Sequence, residues 1–349
     1  MPCWTAQRPS CARQKPANAD AAVTASATIG EFELIERYFR RAADASVALG
    51  IGDDGALLEL PPDRLLVAVV DTSVAGVHFP VGMDAADVGY RSVAVNLSDI
   101  AAMGATPAWM TLALTLPGAD PSWLADFARG LFEAADQYGV ALVGGDTTRG
   151  AETVISIQLL GHVSRNASMP RSGCKPGDRI YVSGTLGDAA AGLSLIQSAA
   201  RENFLTGRFR RPSARVELGQ AVANFTAAAI DISDGLYADL ERILSASGTG
   251  ATVERQDLPL SEQLLEFAGD AAARQLALTG GDDYELCLTV APESDAGFRR
   301  AAAQVGVPVT CIGKADREPG LRLTDAGRAV DFRDTGYRHF RNDSGAANV

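Results

Sequence analysis

Aspartates stand where apolar, strand-like segments end and in glycine-rich turns along much of the sequence. Asp71, Asp146 and Asp231 each follow an apolar run, so their side chains are expected to project past a sheet edge into one cleft. A single aspartate in such a position often only caps a helix or closes a turn. The repetition of the pattern favours a shared binding site. Further aspartates occur in comparable segments, namely Asp53, Asp54, Asp99, Asp234, Asp282 and Asp283.

Carboxylates that converge in one cleft need a compensating positive charge. Two unit charges about 4 Å apart repel by roughly 4 kcal/mol at an effective dielectric constant of about 20, so several together would oppose folding. Oxygen ligands without clustered His or Cys favour Mg²⁺, Mn²⁺ or Ca²⁺, and Mg²⁺ commonly bridges carboxylates to substrate phosphates. The pattern therefore predicts a metal site for a phosphate-rich nucleotide, with Arg149, Arg171 and His78 as candidate phosphate ligands.

The common phosphate-binding motifs do not explain this site. Residues 50–55 formally match the G-x-G-x-x-G fingerprint, but no helical pattern follows them and their two aspartates would repel a pyrophosphate. The sequence contains neither a G-x-x-x-x-G-K-[ST] segment nor the H-R-D loop of protein kinases. We therefore expect a different design of phosphate site.

The composition limits the classes of partner. With 349 residues, 47% hydrophobic and 21% charged, the chain suits two domains of comparable size. A net charge of −12 opposes binding to nucleic acid, and no apolar run approaches the roughly 20 residues of a membrane-spanning helix. The five cysteines have no paired short spacing, which disfavours zinc or a disulfide framework and favours a cytoplasmic location.

Apolar periodicity predicts alternating helices and strands on either side of a connection at residues 164–178. The solid apolar run at 65–70 predicts a strand buried on both faces. The turn Asp325-Ala326-Gly327 predicts a hairpin at 321–332. The other predicted helices cover 32–39, 84–103, 121–138, 188–200, 213–225 and 235–245, and the other predicted strands cover 108–116, 140–143, 154–160, 179–183, 227–232, 252–255, 284–290 and 309–312.

The two ends of the chain are expected to be tails. Residues 1–28 are rich in Ala, Pro and Gln and lack the continuous apolar segment of a secretory signal, so we expect a disordered tail. A start codon assigned too far upstream explains this segment more simply than an arginine-bearing transit peptide. Residues 341–349 are expected to form a second tail.

Between about residues 30 and 340, the sequence resembles the thiamine-monophosphate kinase family of the aminoimidazole-ribonucleotide-synthetase-like ATP-binding superfamily. Many motifs in the same order make this resemblance specific. The motifs that carry it lie at residues 30–35, 50–54, 94–105, 144–150, 171–178, 230–236 and 283–286.

The resemblance implies a two-domain α+β fold of the aminoimidazole-ribonucleotide-synthetase type. Residues 29–163 would form an N-terminal α/β domain with a mixed or antiparallel sheet that binds ATP and metal and makes a homodimer. Residues 164–340 would form a C-terminal α+β domain. Members of the family transfer a phosphoryl group directly from ATP to thiamine monophosphate with the help of Mg²⁺ ions. Because the acceptor is already an anionic phosphate, neither a phosphoenzyme nor an obligatory general base is expected.

The resemblance also assigns roles to residues of this chain. The matching metal ligands are Asp54, Asp71, Asp99, Asp146, Asp231 and Asp234. The matching nucleotide contacts are Gly145, Asp146, Arg171 and Ser233. The substrate contacts are His78, Asp282 and Asp334, the last standing near the place where the family has an aromatic residue that can lie on the thiamine ring.

Departures from the family pattern keep other functions open. Val69-Val70 stands where the family usually has hydroxyl-bearing residues that help to hold metal, and Asp282 stands where it usually has the longer Glu. An aromatic surface in place of the one missing near Asp334 could come from Phe332, Tyr337 or Phe340. One alternative is a sibling enzyme with another acceptor, such as the purine-pathway ligase or selenophosphate synthetase. Another is a non-catalytic protein that binds a nucleotide or thiamine phosphate.

Overall fold

The computed structural model of the protein describes residues 30–42 and 45–332, so the predicted tails and Asp334 lie outside the described residues. Its strands are β1 (Val47–Leu49), β2 (Leu57–Leu58), β3 (Arg64–Val74), β4 (Thr106–Leu116), β5 (Ala141–Arg149), β6 (Val154–Ser164), β7 (Arg179–Ser183), β8 (Ala228–Ile232), β9 (Gly250–Glu254), β10 (Glu285–Val290), β11 (Val309–Asp316), β12 (Gly320–Asp325) and β13 (Arg328–Val330).

The helices lie between and after these strands. They are α1 (Glu31–Leu34), which continues as a π-helical turn over Ile35–Phe39, α2 (Ala85–Ala102), α3 (Pro121–Gln137), α4 (Asp188–Gln197), α5 (Phe204–Arg210), α6 (Val216–Val222), α7 (Leu236–Ser247), α8 (Glu262–Thr279) and α9 (Asp295–Gln304).

The first sheet has the strand order β3-β6-β4-β5. β3, β6 and β4 pair antiparallel, whereas β4 and β5 are parallel because α3 carries the chain back between them. α2 packs on β3 and β6, and α3 packs on α2. The core of this unit includes Val67, Ile157, Leu97 and Phe127, all buried. One face of the sheet is therefore covered by helices.

The prediction that the strand at 65–70 is buried on both faces is wrong. Val67 faces the helices and is 8% exposed, but Leu66 and Val70 are 55% and 63% exposed. Successive side chains of a strand point to opposite faces, and β3 is an edge strand with helices on one face only. The apolar run therefore gives one buried face and one exposed apolar face.

The second sheet has the order β13-β12-β9-β11-β7-β10-β8. Its pairings are antiparallel except for the parallel pair β9 and β12. Ile180, Ile230, Leu240 and Val253 are buried in a second core with α7. Helices with mixed and antiparallel sheets confirm the predicted α+β class.

The helices α5, α8 and α9 were not predicted from the sequence. α5 is short and contains Gly207, and α8 is interrupted at Gly269, where φ is 73° and ψ is 163°. The helix predicted at 213–225 is shorter and consists of α6 and a 3₁₀ turn at Ala223–Phe225. In the part of the chain that the structure describes, no helix combines the length and apolarity needed to cross a bilayer.

Candidate active site

Three predicted metal ligands from separate elements converge beside α2. Asp71 is in β3, Asp99 is in α2 and Asp231 is in β8. Their charges interact: those of Asp231 and Asp71 act on Asp99, and that of Asp71 acts on Asp231. These three residues, far apart in sequence, therefore lie near enough to one another to interact, and we call them the carboxylate cluster.

Buried polar residues of α2 hold the strands in place around this cluster. The Ser98 hydroxyl donates to Asp231 Oδ2 at 2.8 Å. The backbone N–H of Asp71 donates to Asn96 Oδ1 at 3.0 Å. Both Ser98 and Asn96 are fully buried. Because a buried polar group without a partner is costly, these hydrogen bonds fix how β3 and β8 lie against the helix.

The carboxyl groups of the cluster are difficult to ionise together. Burial, and then the charges of Asp231 and Asp71, raise the pKa of Asp99 to about 8, against the lowering effect of Arg171. Burial raises the pKa of Asp231 to about 6 although Ser98 donates to it, and burial raises the pKa of Asp71. A bound cation would relieve this unfavourable accumulation of charge.

Two cavities open beside the cluster. The smaller one, of about 460 Å³, includes Asp99, Asp231 and Arg171 in its lining, together with Val69 and Met103. The larger one, of about 710 Å³, includes Asp71 and brings together other predicted site residues, namely His78, Ser233, Asp234 and Asp282. The charge of Asp71 acts on both carboxylates of the smaller cavity, so the two cavities lie on either side of the cluster.

His78 and Asp234 enter the larger cavity from two turns. The His78 ring is oriented by its Nδ1 atom, which accepts from the backbone N–H of Val74 at 3.0 Å. The Ser233-Asp234-Gly235 turn is held by Asp239, whose Oδ2 accepts from their backbone N–H groups at 3.0, 3.0 and 3.2 Å. Arg242 pairs with both Asp234 and Asp239. These contacts fix the direction of the Asp234 side chain.

Asp54, Gly145 and Asp146 do not join this cluster in the described chain. They line a third cavity of about 530 Å³, together with Phe32, Ile35 and Phe39. β5, which carries Gly145 and Asp146, is the edge strand opposite β3. Gly145 has φ 155°, and a Cβ there would lie 1.9 Å from the carbonyl oxygen of Leu112, so glycine is required at this position of β5.

The carboxylate cluster has the chemistry of a hard-cation site. Within residues 30–42 and 45–332, no three His, Cys, Asp or Glu side chains already stand together as a metal-binding group. The donors of the cluster are nevertheless all carboxylate oxygens, and burial together with their mutual repulsion raises the pKa of Asp99. Oxygen donors of this kind fit Mg²⁺ or Mn²⁺ better than a soft metal.

The sequence pattern did not identify three residues of the site. Asp239 lies in the first turn of α7, a position that also suits an ordinary helix start, so its role in holding the turn leaves no distinct signal. Arg91 and Tyr284 line the larger cavity. Arg91 contacts Asp282, which is 191 positions away in the chain, and no local pattern reports such a contact.

Two protein-family models, both described as AIR synthase related protein, match this chain. The N-terminal domain model matches residues 52–163, and the C-terminal domain model matches residues 175–326. The thiamine-monophosphate kinase of Salmonella typhimurium is 46% identical over 321 residues, which cover 89% of this chain and 98% of the relative. That of Haemophilus influenzae is 44% identical over 324 residues, covering 90% and 98%.

Solved structures agree with these relatives. The thiamine-monophosphate kinase of Stenotrophomonas maltophilia has a TM-score of 0.76 and 43% identity, covering 86% of this chain and 96% of that one. AaThiL, solved in complex with AMPPCP and TMP, has a TM-score of 0.71 and 31% identity, covering 89% and 97%. The hydrogenase maturation protein HypE in complex with ATP, at 19% identity and a TM-score of 0.72, shares the fold alone.

Proposed function

The chain belongs to the thiamine-monophosphate kinase family, and from this premise we infer that it transfers the γ-phosphoryl group of ATP to thiamine monophosphate, giving thiamine diphosphate and ADP. The family predicted from the sequence motifs is confirmed by the relatives, which match nearly their whole length.

The single structural observation that supports this activity most is the carboxylate cluster between two cavities. Transfer between two phosphates requires two anions to approach each other in line. Asp71 lines the larger cavity, and Asp99 and Asp231 line the smaller one. These side chains would hold a divalent cation, which would supply positive charge against the phosphate groups of both substrates.

We propose that Asp71, Asp99, Asp231 and Asp234 hold Mg²⁺, and that Asp54 and Asp146 contribute further metal contacts beside the third cavity. Bound Mg²⁺ would screen the two phosphates from each other and stabilise the charge on the phosphoryl group in transit. Ser98 holds the Asp231 carboxylate, and Asn96 holds the backbone of Asp71. Val69 supplies no oxygen to this set.

The remaining predicted contacts divide between nucleotide and acceptor. Arg171 faces the cluster and is proposed to donate to phosphate oxygens of ATP, as a planar guanidinium does well. Ser233 lies in the turn held by Asp239 and is proposed as a second nucleotide contact. His78 and Asp282 line the larger cavity and are proposed to bind thiamine monophosphate. Asp334 is proposed as a further substrate contact and lies outside the described residues.

The third cavity is proposed to receive the nucleobase and ribose of ATP. Phe32, Ile35 and Phe39 give it apolar walls, and Gly145 allows close approach to the backbone of β5. Apolar walls with a few polar groups are typical of ligand sites for planar rings. Asp146 stands at the same cavity, so it can serve nucleotide and metal together.

We further propose a cytoplasmic homodimer with an N-terminal unit at 29–163 and a C-terminal unit at 164–340. Leu66 and Val70 leave an apolar strip on the uncovered face of the first sheet, and Leu160 of β6 and Ala113 of β4 lie on that same face. Exposed apolar patches of this kind favour association with another protein surface. Sedimentation equilibrium tests the dimer, and a mass of 36.4 kDa would contradict it.

Incubating the purified protein with ATP, MgCl₂ and thiamine monophosphate tests the activity. We expect ADP and thiamine diphosphate in equal amounts, and no product when EDTA is present or when unphosphorylated thiamine replaces the acceptor. ATP binding without turnover would instead support a nucleotide-binding protein. Turnover with another acceptor alone would support a sibling enzyme of the superfamily.

A further inference from the structure

A buried arginine lines the larger cavity and is not among the predicted site residues. Arg91, in α2, has a side chain that is only 5% exposed. Its Nη1 donates to the carbonyl oxygen of Phe209 at 2.6 Å, and its guanidinium lies 4.2 Å from the centre of the Phe209 ring. Its Nη2 pairs with Asp282 Oδ1. A buried guanidinium with so many contacts has a fixed position.

Asp282 is held in an unusual conformation next to this arginine. Asp282 and Tyr284 have φ of 70° and 51°, in the left-handed region that costs energy for residues other than glycine. Their backbone N–H groups donate to the carbonyl oxygens of Ser233 and Ile232, each at 2.9 Å. Non-glycine residues persist in this region only where their surroundings hold them there.

The two sides of the Asp282 carboxylate have different surroundings. Oδ1 accepts a hydrogen bond from Nη2 of Arg91 and, at 3.3 Å, another from the hydroxyl of Tyr284. Among the described residues, the recorded hydrogen bonds of this carboxylate all end on Oδ1. Its side chain is 29% exposed and lines the cavity. Oδ2 is therefore the oxygen that can accept from a ligand.

We propose that Arg91 is a positioning residue for the acceptor substrate, fixing Asp282 so that one carboxylate oxygen faces the ring part of the phosphorylated acceptor. This inference rests on the proposed function. The ring part of thiamine monophosphate carries an amino donor and a positive charge, both of which a carboxylate attracts. Phe209 and Tyr284, beside Arg91, add aromatic surface to the same wall.

Helix α2 fixes the distance between Arg91 and the carboxylate cluster. Arg91 and Asp99 are eight residues apart on one helix, which corresponds to a rise of about 12 Å. Asp99 belongs to the cluster that is proposed to meet the phosphate, and Arg91 anchors the carboxylate that is proposed to meet the ring. The helix therefore sets the distance between the two ends of the bound acceptor.

Kinetics of the full-length protein test the role of Arg91. Arg91→Met is expected to raise the KM for thiamine monophosphate by about tenfold, and to leave the KM for ATP within about twofold, because Asp282 is proposed to bind the acceptor and not ATP. Arg91→Lys keeps a charge beside Asp282 and is expected to recover part of the loss. The matched control is Arg129→Met, since Arg129 is 58% exposed and pairs with Asp126 on α3.

A double-variant cycle separates positioning from general destabilisation. If Arg91 acts through Asp282, then Arg91→Met adds little to the KM of an Asp282→Asn variant, rather than multiplying it by about ten. Multiplicative effects, an equal rise in the KM for ATP, or an Arg91→Met enzyme with unchanged KM would each overturn the inference.

The test of Arg91 still holds if Arg91→Met does not fold or if the wild-type protein is inactive. If Arg91→Met does not fold, Arg91→Lys and Tyr284→Phe carry the test, and Tyr284→Phe is expected to raise the same KM by about threefold because it loses one hydrogen bond to Asp282. Unchanged KM values in both would overturn the inference. A wild-type protein that does not phosphorylate thiamine monophosphate removes the proposed function as well, whereas an active wild type with unaffected variants removes only the role of Arg91.

Discussion

Replacing Asp71 with Asn is expected to lower kcat by at least about a thousandfold, because the metal proposed to join the two phosphates loses a ligand at the point where the cavities meet. The fold is expected to survive. Burial raises the pKa of Asp71, and its charge raises the pKa values of Asp99 and Asp231, so its removal relieves repulsion. Steady-state kinetics and thermal unfolding measure the two effects separately.

Asp63→Asn is the matched control for this variant. Asp63 is exposed in the turn before β3 and has φ 60°, a conformation that Asn adopts readily. Its kcat should equal that of the wild type. An Asp71→Asn enzyme within tenfold of the wild type would show that Asp71 does not bind the metal that transfers the phosphoryl group.

Glu285→Gln is expected to destabilise the protein by roughly 3–5 kcal/mol, because it removes the negative charge that pairs with two partly buried arginines and puts an NH₂ donor in place of one acceptor oxygen. Glu285 is fully buried and accepts from Arg215 Nε at 2.7 Å, from Arg208 Nη2 at 2.9 Å and from the Ser183 hydroxyl at 2.6 Å. Burial alone would raise its pKa, but Arg215, Arg208 and Ser183 lower it below its usual value. The midpoint of urea unfolding measures the loss.

The pH dependence of this loss follows from the lowered pKa. A carboxylate with a depressed pKa stabilises the fold above its ordinary value of 4.5, and this contribution disappears as the pH falls through the lower value of the folded state. The difference in the free energy of unfolding between the wild type and Glu285→Gln should therefore become smaller in acid. Glu133→Gln is the control: Glu133 is 49% exposed and pairs with Arg211, so about 0–1 kcal/mol is expected. If both variants lost the same free energy of unfolding, the burial of Glu285 would not explain its contribution to stability.

The sequence was most informative where one local signal was sufficient. The helix predicted at 84–103 is found as Ala85–Ala102, and Asp231 lies near the end of a strand as predicted, because capping residues and apolar runs act over a few positions. α8 was missed because Gly269 interrupts its helical conformation. The burial of residues 65–70 was wrongly predicted, since whether helices cover one face of the sheet or both depends on tertiary packing and not on the residues of the strand.

The site was predictable only in part for the same reason. Its aspartates could be selected from their local positions, but the assignment of Asp71 and Asp146 to different cavities depends on β3 and β5 being opposite edges of one sheet. The pairing of Arg91 with Asp282 depends on how α2 lies against the turn before β10. Such contacts are set by tertiary packing, which leaves no local spacing in the sequence.

³¹P NMR with Mn²⁺ can show whether these carboxylates place a divalent cation against both phosphates. The protein would be mixed with AMPPCP, thiamine monophosphate and substoichiometric Mn²⁺, whose unpaired electrons broaden nearby phosphorus resonances. We predict that the thiamine monophosphate resonance broadens strongly with the wild-type protein and only weakly with Asp71→Asn. If the thiamine monophosphate line width is the same with and without the protein while AMPPCP is broadened, the carboxylates do not place the cation against the acceptor phosphate.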